Sequence, residues 1–276
     1  MRLGLHHVTV NDVTPLELVD MAAMLGCAEV CLFTHIPRDL PQTLFPLVDR
    51  TILPDLKAAL RHHAVRVANI EFFPVSPDVP IDDYADALAL GGELGARGAV
   101  VHIHDPDEER AVDTLGRLSD LAAMNGLRIG LEFMGLTPAC ASIGRAARYI
   151  EQVGRPNIGI GMDPLHLIRT GGTADDVRVV PASAFTYAQI CDGRGLHRSD
   201  DYLPEALDRL MPGDGAFPLA DIMAALPVDI AIDVEVPSAS RIAAGRPALP
   251  HAREAIDRAR ALLDLSRRQP PRSSPR

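Results

Sequence analysis

Four oxygen-bearing side chains ride short apolar runs. LRIGLEF (127–133) delivers Glu132, NIGIGMD (157–163) delivers Asp163, AFTYAQIC (184–191) carries Gln189, and VDIAIDVE (228–235) ends on Glu235. Three carboxylates brought within a few ångströms repel one another and rise in pKa. A divalent cation resolves that conflict. Oxygen donors suit a hard ion, Mn²⁺ or Mg²⁺, with Co²⁺ as a further choice. Zinc more often takes His or Cys. A single acid at such a place is more often a polar residue closing a strand. Four on consecutive strands point to one metal site, because buried carboxylates rarely go unpaired.

These runs close a longer series. LGLHHV (3–8), AEVCLFT (28–34), VRVANIEF (65–72) and GAVVHIH (98–104) precede them, which makes eight expected strands. Helical patterns fall between: 16–25 after the Thr14-Pro15 start, 52–63, 82–95, 106–125, 141–153, a short 173–177, 219–226 and a final amphipathic 247–265. Thr at the N-cap followed by Pro is a helix start, and Gly26, Gly126 and Gly154 stand where helices stop. Short apolar strands alternating with helices indicate α/β with a parallel sheet buried on both faces. Eight such units fit a (β/α)8 TIM barrel as a single domain over residues 1–265. The open doubly wound alternative lacks its glycine fingerprint, since HHVTVNDVTP follows the first strand. No GxxxxGK[ST] occurs. The last residues, 266–276, have nothing apolar to bury and are expected to be a disordered tail.

The chain has 276 residues, 47% hydrophobic, with a net charge of −10. An acidic surface repels phosphate backbones, so nucleic acid is not an expected partner. No apolar run of about 18 residues exists, so no membrane span is expected. The start lacks a signal-peptide core, and the four Cys form no CxxC pair, so a reducing cytoplasm is the expected setting. Cys27 and Cys31 read as small buried hydrophobes. The expected partner is a small-molecule substrate. A homo-oligomer is compatible with this surface, and the sequence does not set the oligomeric state.

LEFMG, MDPLH, AQICDG, LMPGDG and DVEVPS together resemble the xylose-isomerase-like TIM-barrel superfamily, over essentially residues 1–265. That group holds sugar and sugar-phosphate isomerases and epimerases, inosose enzymes and dehydroshikimate dehydratases. The resemblance implies one divalent metal held by Glu132, Asp163, Gln189 and Glu235, with Glu132 and Glu235 also serving as acid and base. The separations are 163−132=31, 189−163=26 and 235−189=46. The first two are about one βα unit; the last contains an inserted loop ending in the family's PGDG turn. Sugar epimerases of the group carry His where this chain has Gln189, whereas Gln occurs in dehydratase members. His166 in DPLH matches a family His that touches substrate, and its plainer reading is a His satisfying the turn. An Arg in the loop after the seventh strand contacts substrate in related enzymes, which makes Arg194 and Arg198 candidates beside the reading that both are solvated.

Glu71 and His104 follow strands three and four and are candidates to face the cleft. His6, His7, His35 and His102 are pocket candidates only. Asp192 supports either the metal shell or the loop turn. The chemistry expected is proton abstraction next to a metal-chelated carbonyl, giving isomerisation or epimerisation of a sugar or cyclic polyol ketone. The alternative is dehydration of an inosose or dehydroshikimate type, with Gln189 as its clue. A DNA-repair branch of the superfamily uses several His-bound zinc ions and a basic surface, which this chain lacks.

Overall fold

The computed structural model describes residues 2–38 and 40–268. Eight parallel strands close into one barrel in chain order: β1 (Arg2–His6), β2 (Glu29–Phe33), β3 (Arg66–Val75), β4 (Gly98–Ile103), β5 (Arg128–Glu132), β6 (Ile158–Met162), β7 (Phe185–Ile190) and β8 (Ala231–Val234). β8 pairs with β1, Leu5 opposite Val234, so no edge is left open. The single-domain α/β barrel expected from the alternation is therefore what the chain forms.

Helices α1 (Pro15–Met24), α2 (Leu53–His63), α3 (Ala85–Glu93), α4 (Glu108–Met124) and α5 (Ile143–Val153) link the first six strands. The Thr14 start carries a full capping box: Glu17 N–H donates to Thr14 Oγ1 at 3.2 Å and Thr14 N–H to Glu17 Oε2 at 2.7 Å. α4 begins later than the expected 106 because Asp107 caps it, accepting from Arg110 N–H. The pattern expected over 82–95 is split. A 3₁₀ turn occupies Ile81–Tyr84 before α3 starts.

After β6 the chain departs most from the simple repeat. α6 (Pro164–Arg169) and α7 (Ala174–Arg178) follow β6, α8 (Leu203–Ala206) and α9 (Leu219–Ala225) follow β7, and α10 (Ala239–Ala243) and α11 (Ala248–Arg268) follow β8. α6, α8 and α10 are too short to show a helical period, so the apolar pattern does not announce them. α11 runs to Arg268, past the expected boundary at 265; the rest of the expected tail, 269–276, lies outside the described residues. Among the described residues no helix is long and apolar enough to cross a membrane.

The apolar core lies between strands and helices, with Leu32, Ile70, Val101, Leu131 and Ile160 wholly buried. Inside the barrel the side chains are more polar. At the N-terminal end buried Glu29 takes both arms of Arg97 at 2.6 Å. Midway, Asn69 donates to Asp233 at 3.0 Å. Side chains of a strand alternate between faces, so Asp233 and Glu235 share the interior, as do Tyr187 and Gln189. That register carries the carboxylates to the C-terminal mouth, where sites of this fold sit.

Candidate functional site

Glu132 closes β5, Asp163 follows β6, Gln189 lies near the end of β7, and Glu235 follows β8; all four are buried. Asp163 also caps α6, accepting from Leu165 N–H at 2.6 Å. The DPLH run turns directly into a helix there, with Pro164 at its first position.

A cation already stands among them. The Arg209 guanidinium donates to Asp163 Oδ2 at 2.6 Å and contacts Glu235 Oε1 at 2.8 Å. Each carboxylate thereby gives one oxygen to Arg209. Two other oxygens of the set have no partner among the described residues: Gln189 Oε1 and Glu235 Oε2 are buried and unbonded. An unmet buried acceptor costs free energy and asks for an explanation such as an ion or ordered water. Burial pushes the Glu132 carboxyl up to about 7 and the Glu235 carboxyl up to about 8, with neighbouring acids adding to it. Asp163 is different. Burial pushes it up, but Arg209, His166 and the Leu165 N–H outweigh that and hold it low. Orphaned oxygens and raised carboxyls are what a divalent cation would satisfy, so the residues present fit one. Arg209 takes Asp163 Oδ2 and Glu235 Oε1 and leaves Gln189 Oε1 and Glu235 Oε2 unmet.

His166 lies in α6 against this set. Its Nε2 is 3.4 Å from Glu132 Oε1 and 3.8 Å from Asp163 Oδ2. Glu132, Asp163 and His166 are close enough to share an ion. The hydrogen bonds assign His166 another part. Tyr202 accepts from Gly135 N–H at 2.8 Å, which leaves its own proton for His166 Nδ1 at 2.7 Å. In the neutral ring the proton then sits on Nε2, facing the carboxylates as a donor. Burial lowers the pKa of this ring and favours the neutral form.

A second cluster, His6, Cys31 and Glu71, gathers at the ends of β1 to β3. His6 Nδ1 accepts from Val8 N–H at 3.1 Å, so Nε2 carries the proton donated to Glu71 at 2.7 Å. Metal binding at Nε2 would require the tautomer that sets two N–H groups against each other. The geometry therefore describes a hydrogen-bonded acid rather than a second ion site. Cys31 is buried, as expected, yet it belongs to this polar cluster. His102 turns into the barrel and stands 3.4 Å from Glu132 Oε2.

The remaining expected residues lie further out. His104 is exposed and lines a cavity with Phe72, Pro74 and Arg38. Arg194 is exposed, with its main chain tied to Glu205 and Arg169. Arg198 packs along Gly171 and lines a cavity with Gly135 and Thr170. Asp192 serves the loop turn: it accepts from Gly193, Gly213 and Phe217 N–H at 2.8, 2.9 and 3.0 Å. The PGDG turn is glycine-rich for this reason. A Cβ at Gly215 would overlap the Asp192 carboxylate, and Gly213 has φ +92. This knot delivers Arg209, which the sequence reading did not single out. Its signal was position, in DRLMPGDG at the end of the inserted loop.

The family model described as xylose isomerase-like TIM barrel matches residues 19–263. Over 120 residues the chain is 31% identical to an inosose isomerase of Halalkalibacterium halodurans, a match spanning 42% of this chain and 40% of that protein. The alignment thus covers less than half the length of that curated relative. Among solved structures the fold is similar to a crystal structure of the IolI protein with a bound zinc atom, at a TM-score of 0.80 and 19% identity over 96% of this chain and 99% of that one. It is also similar to D-psicose 3-epimerase of Clostridium cellulolyticum H10, crystallised with D-tagatose, at a TM-score of 0.73 and 17% identity over 97% and 98%.

Proposed function

The chain belongs to the xylose isomerase-like TIM barrel family, and on that premise we propose that it is a divalent-metal-dependent isomerase or epimerase. Its substrate is a polyhydroxylated carbonyl compound, a sugar or a cyclic polyol ketone. The observation that carries this reading is the pair of unpartnered buried oxygens, Gln189 Oε1 and Glu235 Oε2, beside Glu132 and Asp163. These four side chains would hold one Mn²⁺ or Mg²⁺, with Co²⁺ as a further choice. When bound, such an ion polarises a chelated carbonyl and acidifies the neighbouring C–H.

The chain's own groups move the proton. Glu132 and Glu235 come from β5 and from the end of β8, so a substrate between them meets a carboxylate from two parts of the wall. One takes the proton from the carbon beside the carbonyl and the other returns one. His166 donates Nε2–H to a substrate oxygen. Glu71 accepts from substrate hydroxyls on the opposite wall, and His104, Arg194 and Arg198 meet substrate at the rim. Similarity to a protein named inosose isomerase supports a cyclic polyol ketone. A small-molecule substrate in a reducing cytoplasm goes with four free thiols.

Gln189 favours a second reading, dehydration. The amide replaces the His of simple epimerases, and the same abstraction followed by loss of a β-hydroxyl gives an alkene. NMR in D₂O over ketoses, inososes and dehydroshikimate, with added Mn²⁺, tests both. Deuterium on the carbon beside the carbonyl without water loss is the expected outcome. An alkene product selects the dehydratase, and no exchange with any compound removes both.

A further inference from the structure

We propose that Tyr187 is a positioning residue for Glu132, holding one carboxylate oxygen so that the other faces the ion and the substrate. This rests on the metal-dependent reading above. Tyr187 lies in β7, two residues before Gln189 and therefore on the same interior face. Its hydroxyl donates to Glu132 Oε2 at 2.9 Å, and the ring is 1% exposed. Glu132 Oε1 is left toward His166 Nε2. A buried carboxylate with one oxygen fixed has few rotamers left, so its free oxygen points one way.

The barrel is built around this contact. Tyr187 must cross from β7 past β6 to reach β5, and both strands open a path. A Cβ on Gly161 in β6 would overlap the Tyr187 ring and hydroxyl, and a Cβ on Gly130 in β5 would overlap the ring edge. Any residue larger than glycine at either place displaces the phenol. IGLE and IGIGMD thus carry small residues where a strand ordinarily carries β-branched ones. A Phe would fill the same space without the hydroxyl, so packing alone does not explain the oxygen. A phenol keeps its proton at neutral pH, so Tyr187 is the donor in this bond. Hydrogen bonds of this outer kind orient the groups that hold metals and govern affinity.

The test is Mn²⁺ titration calorimetry on the full chain, with thermal unfolding of the ion-free protein alongside. Tyr187→Phe is expected to lose about 10- to 100-fold in Mn²⁺ affinity, alongside a lower melting temperature from the lost buried hydrogen bond. A merely structural tyrosine would lower the melting temperature and leave the affinity alone. Gly161→Ala, which keeps the hydroxyl but takes its room, is expected to weaken Mn²⁺ as well, and it decides the matter if Tyr187→Phe does not fold. Wild-type affinity in a folded variant overturns the inference and leaves the metal-dependent reading standing. Wild-type protein that binds no Mn²⁺ overturns both.

Discussion

The two sides of the barrel mouth hold their carboxylates in opposite ways. On the β1–β4 side, Glu71 takes the His6 Nε2–H at 2.7 Å. Burial pushes its carboxyl up, but His6 outweighs burial and keeps it below the usual range. On the β5–β8 side, burial leaves Glu132 at about 7 and Glu235 at about 8, and Gln189 Oε1 and Glu235 Oε2 have no partner among the described residues. Both sides are buried. What differs is the supply of donors. A buried charge is tolerated only where opposite charge or hydrogen bonds meet it. The first side meets its acid with protein groups. The second has Arg209 on Asp163 and Glu235 and the Tyr187 hydroxyl on Glu132, but among the described residues no donor for Gln189 Oε1 or Glu235 Oε2.

Changes that break this contrast rank by expected size. Glu235→Gln removes an acid–base group from the open side and should lower turnover by about 10²- to 10⁴-fold, read in the D₂O assay, with the circular dichroism unchanged. A fully active variant removes Glu235 from the mechanism. Arg209→Met strips the guanidinium from two buried acids. The ion-free variant should lose about 3–5 kcal/mol of stability in urea unfolding, and a loss near zero would mean that the bridge holds nothing. Free Mn²⁺ at about a hundred times its dissociation constant should add about 2.7 kcal/mol to wild type. Asp163→Asn should abolish that gain; an undiminished gain places the ion elsewhere.

pH sharpens the same contrast. Glu132 and Glu235 have folded values raised above the ordinary 4.5. Between 4.5 and those values the folded state keeps protons that the unfolded chain has released, so these two acids make the ion-free protein less stable as pH rises. Glu71 and Asp163 are depressed, and their contribution has the opposite sign: it is present above the unfolded value and lost as pH falls. His7 and His102 are pushed down to about 4 by burial and act the opposite way below pH 6.5, so melting temperatures between about pH 6.5 and 8 should decline upward in EDTA and flatten with Mn²⁺. The same decline in both buffers would show that the ion does not meet these acids.

The strand series was legible because a strand buried on both faces must be an apolar run, and an acid closing such a run stands out. The barrel and the placement of Glu132, Asp163, Gln189 and Glu235 at one mouth follow from that pattern. Arg209 was not legible. It comes from an irregular 46-residue interval (235−189=46), where no period reports which way a side chain turns. Its position depends on the Asp192 knot, made by Gly193, Gly213 and Phe217 N–H groups. Tyr187 was hidden differently. It reads as an ordinary aromatic in a strand, and its partner lies on β5, two strands away around the wall. Only the glycines at 130 and 161 hinted that something large crosses there.

The smallest expected effect belongs to the satisfied side. Glu71→Gln keeps an oxygen that can accept the His6 Nε2–H and removes only the charge. A hydrogen bond to a charged group stabilises by about 1.5–3 kcal/mol and a neutral one by about 0.5–1.5, so the variant should lose about 1 kcal/mol in urea unfolding. Its Mn²⁺ gain should match wild type, because Glu71 completes its set with His6 and Cys31 rather than with an ion. If Glu71→Gln instead removes the Mn²⁺ gain as Asp163→Asn does, the division of the mouth into a closed side and an open side fails, and one ion would have to serve both.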